Sequence, residues 1–222
     1  MFGDAASLPT ALGLAAATAA VCAAAARVLP ALLPEPAEPD GKRPYAELAD
    51  APMILGCGTA GAIAGGLIGW FLPWPLWPAW LVFATLGLVL IAIDARTTWL
   101  PLALTRPLWA ATAAAVPVTG ALAGWEVAFR MIVAGAAVGA FVLAFWWVGR
   151  GALGFGDVRL APVLGVVTGT LGVGAVLWGL LLGSLIGVAW GLLARLTGRR
   201  GAFPYGPALW LGALLAIPLT AS

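Results

Sequence analysis

Two aspartates lie at the ends of long apolar segments, where an ionisable residue is unusual. Asp94 follows the apolar run 81–93, and Asp157 opens another apolar segment within Gly154-Phe155-Gly156-Asp157. Ionisable groups beside hydrocarbon cost free energy, so they are rare there and usually functional. Two neighbouring carboxyl groups repel each other when both are ionised, so the pair tends to hold one shared proton. One can then act as a general base on water while the other polarises a carbonyl. The pair therefore predicts acid–base hydrolysis.

Two glycines precede the second aspartate and form the pattern G-x-G-D with it. Gly154 and Gly156 allow backbone conformations that other residues avoid, and they let another chain approach closely. Such a loop could present Asp157 beside a substrate backbone. A tetrapeptide of this kind can occur by chance in a chain with 30 glycines. It indicates a functional site mainly because another aspartate, Asp94, is predicted at the same membrane face. We predict Asp94 and Asp157 as catalytic residues and Gly154 and Gly156 as their supporting loop.

Several other chemistries lack the residues they need. The chain has no histidine and two cysteines. Cys22 and Cys57 lie inside apolar runs without C-x-x-C spacing, so they predict small buried side chains and not a zinc site or redox pair. Hydrolysis by two carboxyl groups needs only a water molecule, and we expect no metal and no cofactor.

Two other functions are open for the same aspartates. They could form a proton or cation relay in a small transporter, although both lie at one membrane face and transporter sites usually lie near the midplane. They could also be structural, paired with Arg96 and Arg159, in a non-catalytic scaffold. Residues two apart on a helix do not face each other, which weakens the structural interpretation.

The composition predicts an all-α membrane protein that crosses the bilayer several times. The chain is 63% hydrophobic and 9% charged, with a mean hydropathy of +1.04, whereas a soluble domain has about 25% charged residues. Only helices and closed barrels satisfy the backbone in lipid, and the apolar runs lack the alternation of barrel strands. We therefore predict one transmembrane helix bundle spanning residues 1–222, in contact with lipid and not with nucleic acid.

About eight apolar segments are expected. A cluster of glycines at 169, 172 and 174 predicts a turn that divides the long run 160–194; without that turn, seven helices would remain. Residues 1–7 contain no basic residue, so the first segment is predicted as a retained helix and not a cleaved leader. The segments are 8–33, 52–72, 79–95, 107–123, 128–149, 157–173, 174–195 and 206–221.

The basic residues predict an orientation with the N-terminus outside. With that choice only Arg130 of the 11 basic residues lies outside, in agreement with the positive-inside rule. Residues 34–51 then form a short cytoplasmic loop, whose prolines argue against a helix. Tryptophans near the segment ends are expected to anchor the protein at the interfaces; they are Trp70, Trp74, Trp77, Trp80, Trp146 and Trp147.

Three segments together resemble the bacterial type IV prepilin peptidases, which are GxGD-type aspartyl proteases. Gly154–Leu160 resembles the family's G-x-G-D-x-K-L motif. Ile93-Asp94 with Leu100-Pro101 resembles its first catalytic aspartate and downstream Leu-Pro. Residues 203–208 resemble the Pro-Phe/Tyr-Gly-Pro entry to its last helix. The resemblance extends from about Ile54 to the C-terminus.

The resemblance implies a membrane aspartyl endopeptidase of the bacterial inner membrane. Its substrate would be a prepilin or pseudopilin precursor, cleaved after a short basic leader at the cytoplasmic face in pilus assembly or protein secretion. Leu102 replaces an aspartate that the family often has after Leu-Pro, and Arg159 replaces a lysine. Longer family members carry a cytoplasmic domain, often with paired C-x-x-C motifs, that is associated with N-methylation. This chain has only the loop 34–51 there, so N-methyltransferase activity is not expected.

Overall fold

The computed structural model describes residues 7–35, 43–150, 154–198 and 204–221. Within these residues the chain forms eight long helices, two short 3-10 helices (Pro30–Leu32 and Tyr45–Leu48) and no strand, which confirms the predicted all-helical bundle and its count of eight. By length and composition, five of the helices (α1, α2, α3, α5 and α7) are able to cross a membrane. The helices are α1 (Leu8–Val28), α2 (Ala51–Phe71), α3 (Trp74–Thr97), α4 (Leu102–Ala123), α5 (Trp125–Val148), α6 (Phe155–Gly169), α7 (Val173–Leu196) and α8 (Gly206–Thr220).

The turns between helices are short and depend on glycine at two places. Gly124 alone separates α4 from α5, and Gly172 ends the turn between α6 and α7; their φ angles are 106° and 96°. Both values lie in the left-handed region that favours glycine. The turn predicted among the glycines after residue 168 is therefore present, and it divides the long apolar run into two helices.

Two helices begin earlier than the hydropathy pattern predicted. Helix α4 starts at Leu102 and not at residue 107, because Pro101 caps it and its carbonyl accepts the backbone N–H groups of Leu104 and Thr105. Pro107 is accommodated inside the helix. Helix α3 starts at Trp74 with one 3-10 turn, where the prediction began at residue 79.

Helices α1 and α2 form a hairpin packed through glycines. Gly61, Gly65 and Gly69 recur every four residues on α2 and face α1. A Cβ atom at Gly61 would lie 2.9 Å from the carbonyl oxygen of Thr18, and the Thr18 hydroxyl donates to the Gly61 carbonyl at 2.7 Å. Small residues at this spacing let two membrane helices approach closely, which strengthens dispersion contacts that lipid cannot replace.

Two further helix hairpins are also packed through glycines. On α5, a Cβ atom at Gly139 would lie 2.9 Å from the Pro162 ring on α6. On α7, a Cβ atom at Gly183 would lie 3.1 Å from the Cα atom of Leu209 on α8. Helices α5–α6 and α7–α8 are therefore antiparallel, close-packed pairs like α1–α2.

Helix α3 is the most buried of the five long apolar helices, with 61% of its apolar window inside the protein. A π-helical turn spans Phe83–Gly87. Its irregular backbone is satisfied from two other helices: Trp210 Nε1 donates to the Phe83 carbonyl at 3.1 Å, and the Cys22 thiol donates to the Ala84 carbonyl at 3.4 Å. Membrane interiors supply no water for such groups, so these bonds tie α1 and α8 to α3.

Trp80 corrects the expectation that all the marked tryptophans anchor the protein at the interfaces. Its side chain is fully buried, and Nε1 donates to the Thr170 hydroxyl at 2.9 Å. Trp80 thereby links α3 to the end of α6. Both cysteines are buried and free, as expected.

Candidate active site

Asp94 lies in the last turn of α3 and is buried, with 3% of its surface exposed. The helix ends at Thr97 because the next residue, Thr98, adopts a left-handed conformation and its backbone N–H donates to the Asp94 carbonyl at 2.7 Å. The Thr97 hydroxyl caps the same turn by donating to the Ile93 carbonyl at 2.9 Å. The end of the helix is thus fixed by local hydrogen bonds, and it holds Asp94 within the bundle.

Asp157 lies in the first turn of α6 and is also buried, with 4% exposed. Gly154 is the N-cap residue, and its carbonyl accepts the Asp157 backbone N–H at 3.1 Å. Within the described residues, Oδ1 of Asp157 has no hydrogen-bond partner. A buried carboxyl oxygen without a partner is costly, and such exceptions mark sites of strain or chemistry.

The structure brings the two predicted aspartates together. Asp94 and Asp157 come from different helices, and their carboxyl groups lie close enough for the charge of one to act on the other. The start of α8 lies against Asp94, and the start of α6 packs on Leu100, three residues after the end of α3. Two buried carboxyl groups in one site favour a state with a single shared proton.

Gly206, the first residue of α8, lies against Asp94. A Cβ atom at Gly206 would stand 2.9 Å from Oδ2 of Asp94, so a side chain added there would push the Asp94 carboxyl group aside. Asp94 ends its own helix, where the helix dipole disfavours a negative charge, but it also lies beside the beginning of α8, where the dipole favours one. The sequence motif around 203–208 contains Gly206, but no pattern in the sequence indicated this contact.

The supporting glycines act through close approach and not through unusual backbone angles. Gly154 has an extended conformation with φ −63°, and neither Gly154 nor Gly156 has a positive φ, so that part of the expectation was wrong. A Cβ atom at Gly156 would lie 3.1 Å from Cβ of Leu100 and still closer to its Cδ1 atom. The G-x-G-D turn therefore packs directly on the Leu-Pro segment that follows Asp94.

The two arginines nearest the aspartates in sequence bind elsewhere. Arg96 Nη1 contacts the Asp50 carboxylate at 2.7 Å and the Leu48 carbonyl at 3.3 Å. The Arg159 guanidinium lies 4.9 Å from the ring centre of Phe155. These contacts do not support the structural interpretation, in which each arginine would neutralise its neighbouring aspartate.

Asp50 connects the loop before α2 to the end of α3. Its carboxylate accepts the Met53 backbone N–H at 2.9 Å and so caps α2. The Met53 N–H and then the Arg96 guanidinium hold the pKa of Asp50 below its ordinary value. Of the loop 34–51, residues 36–42 lie outside the described part. Within the described residues, no three potential metal ligands come together.

Comparison with known protein families places this geometry in context. The model of the type IV leader peptidase family matches residues 81–192, which is just over half of the chain and includes both Asp94 and Asp157. Comparisons with curated proteins and with solved structures gave no match. The family match confirms the resemblance found in the sequence motifs. The chain belongs to the type IV leader peptidase family.

Proposed function

We propose that this protein is a membrane aspartyl endopeptidase that removes the leader peptide of prepilin-like precursors, with Asp94 and Asp157 as its catalytic pair. The observation that carries the proposal is the burial of both carboxyl groups, with the charge of Asp94 acting on Asp157. This site lies within the segment that matches a leader peptidase family. Burying two carboxylates beside hydrocarbon costs free energy, and a proton shared between them lowers that cost.

The chemistry requires one ionised and one protonated carboxyl group. The ionised aspartate takes a proton from water as the oxygen attacks the peptide carbonyl, and the protonated aspartate donates to that carbonyl oxygen. The tetrahedral intermediate collapses when the leaving nitrogen is protonated, and the dyad returns to its singly protonated state. Either aspartate can serve as the base, because Asp157 lies in the first turn of α6 and Asp94 lies beside the first residue of α8.

The family and the charge pattern support a substrate class and a location for this activity. Prepilin-like precursors carry a short basic leader before an apolar helix, and cleavage would occur at the cytoplasmic face of a bacterial inner membrane. The basic residues support this orientation, because Arg96, Arg106, Arg150 and Arg159 all lie near the end of the bundle that holds the aspartates. We propose cleavage without N-methylation of the product, because the loop 34–51 contains no cysteine.

The two other functions predict different results. A proton or cation relay predicts ion flux through reconstituted protein and no proteolysis. A non-catalytic scaffold predicts neither. Arg96 binds Asp50 and Arg159 stacks on Phe155, and the scaffold interpretation gives no reason for either contact.

The proposal is tested by incubating the purified protein in vesicles with a panel of prepilin, pseudopilin and Flp-type precursors. We expect one precursor class to lose its leader, with the new N-terminus located by mass spectrometry. S-adenosylmethionine should produce no methylated product. Absence of cleavage across the panel, together with ion flux in the same vesicles, would replace the peptidase with the relay.

A further inference from the structure

An apolar groove lies on the outside of the bundle, on the face of α6 away from Asp157. It has a volume of about 820 Å³, within the ~300–1,000 Å³ range of sites for small molecules. The groove is formed by three helices, with α4 and α5 as its walls and α6 as its floor. Its lining includes Ala113, Trp125, Ala136, Gly139, Pro162 and Val166.

The groove does not lead to the two aspartates. At about 100° per residue, Pro162 and Val166 point roughly opposite to Asp157 on α6. A peptide held in the groove would therefore be separated from the carboxyl pair by α6 itself. This geometry argues against the segment being cleaved as the occupant.

A cationic and aromatic cluster continues the groove at one end. Arg159 follows the same face of α6 as Pro162 and Val166, since residues three and seven apart share a helix face. Its guanidinium stacks on Phe155, which contacts Trp146 with ring centres 5.1 Å apart. Trp109 Nε1 donates to the Arg159 carbonyl at 2.9 Å.

Arg106 adds a second positive charge to this end of the groove. It is exposed on α4, one turn before Trp109 and on the same face. Within the described residues, neither Arg106 nor Arg159 forms a salt bridge. The acidic residues of the three helices are Asp157, on the opposite face, and Glu126, at the other end of the groove. The cluster therefore has a net positive charge that the protein itself does not neutralise.

We propose that this groove binds an anionic phospholipid, with an acyl chain between α4 and α5 and the phosphate beside Arg106 and Arg159. Apolar lining open to hydrocarbon suits an acyl chain, and basic pockets between membrane helices suit acidic head groups. The lining of α5 from Trp125 to Gly139 extends about 21 Å at 1.5 Å per residue, which gives room for an extended chain. The site is independent of the proposed proteolysis.

The test uses native mass spectrometry of the full-length protein with equal amounts of phosphatidylglycerol and phosphatidylcholine of identical chains. We expect wild type to retain phosphatidylglycerol preferentially. Arg106→Gln and Arg159→Gln should each reduce that preference about fivefold, as expected for ~1 kcal/mol per arginine. The matched control is Arg195→Gln, which removes an exposed arginine from the last turn of α7 and should retain the preference.

A second pair of variants tests the groove without changing charge. Ala136→Trp fills the groove and should lower retention of both lipids, whereas Ala137→Trp places the same side chain on the neighbouring exposed position outside the lining. Thermal unfolding of each variant verifies that it is folded. The proposal is overturned if the arginine variants keep the lipid preference. It is also overturned if Ala136→Trp leaves lipid retention unchanged but converts a dimer to a monomer, which would make the groove a protein interface.

Discussion

A methyl group added to Gly206 would lie 2.9 Å from the Asp94 carboxylate oxygen Oδ2. This contact places the beginning of α8 against one member of the proposed catalytic pair. Within the segment 203–208, which resembles the family's entry to its last helix, Gly206 thus lies where an added side chain would press on the Asp94 carboxyl group.

Gly206→Ala should therefore impair cleavage more than folding. Alanine suits a helix better than glycine, but its Cβ atom would displace Asp94, and misplacement by about 1 Å can cost ~100-fold in rate. We expect a 10- to 100-fold fall in kcat with a thermal midpoint near that of wild type. Gly191→Ala is the control, because nothing lies within 4 Å of its added methyl group. Equal activity of the two variants would contradict the proposed position of Asp94.

Gly156→Ala should be harmful because of Leu100, and removing Leu100 should relieve it. The added Cβ atom would overlap the Leu100 side chain, and overpacking of this kind costs about 1–3 kcal/mol. We expect loss of activity and a lower thermal midpoint in Gly156→Ala, with partial recovery of both in the double variant Gly156→Ala/Leu100→Ala. Leu100→Ala alone defines the cost of the cavity. Purely additive effects in this double-mutant cycle would show that the contact is unimportant.

The amino-acid sequence was sufficient to predict much of the fold. Apolar length and the turn before α7 gave the number of helices, since both depend on local composition. The start of α4 was misplaced, because Arg106 and Pro107 look like a boundary although the helix continues through Pro107. The burial of Trp80 was also missed, because an apolar segment does not show which face meets protein and which meets lipid.

The candidate site was predicted in part, for similar reasons. Asp94 and Asp157 were identifiable because charge is rare in apolar segments, and their motifs lie close in sequence to each carboxyl group. The contact of Gly206 with Asp94 and the pairing of Asp50 with Arg96 were not predicted. Both join residues far apart in sequence, since Asp50 and Arg96 are 46 positions apart, and local sequence patterns do not predict contacts over such a separation.

The ion pair between Asp50 and Arg96 should contribute pH-dependent stability. Because the pKa of folded Asp50 lies below its ordinary value, its contribution is present above about pH 4, the unfolded value, and is lost as the pH falls through the folded value. When the pH is lowered from about 5 to about 3, the thermal midpoint of wild type should therefore fall more than that of Asp50→Asn.

The charge-swapped double variant Asp50→Arg/Arg96→Asp provides a control for this pair. It restores opposite charges but loses the cap on Met53, so it should recover only part of the stability lost in Arg96→Asp. Identical pH profiles for wild type and Asp50→Asn would contradict the pairing.

The hairpin of α1 and α2 should depend on Gly65 and not on its neighbour Gly66. A Cβ atom at Gly65 would lie 2.7 Å from the Leu14 carbonyl oxygen and would overlap the Thr18 hydroxyl, whereas at Gly66 the nearest atom is at 3.8 Å. Gly65→Ala should lower the free energy of unfolding by about 1–3 kcal/mol, measured by SDS titration. Gly66→Ala should not lower it. If both variants lost a similar free energy of unfolding, the cause would be a change in helix flexibility and not the close approach of α1 to Gly65.

The most direct test of the central claim is cleavage of a responsive prepilin by wild type, Asp94→Asn, Asp157→Asn and the control Glu126→Gln. Each protein is purified in the same lipid and shown to be folded by its thermal midpoint. We predict that both asparagine variants lose at least 10³-fold in kcat/KM, since each removes one half of the acid–base pair, while Glu126→Gln retains activity. Cleavage at the wild-type rate by either asparagine variant would contradict the assignment of Asp94 and Asp157 as the catalytic pair.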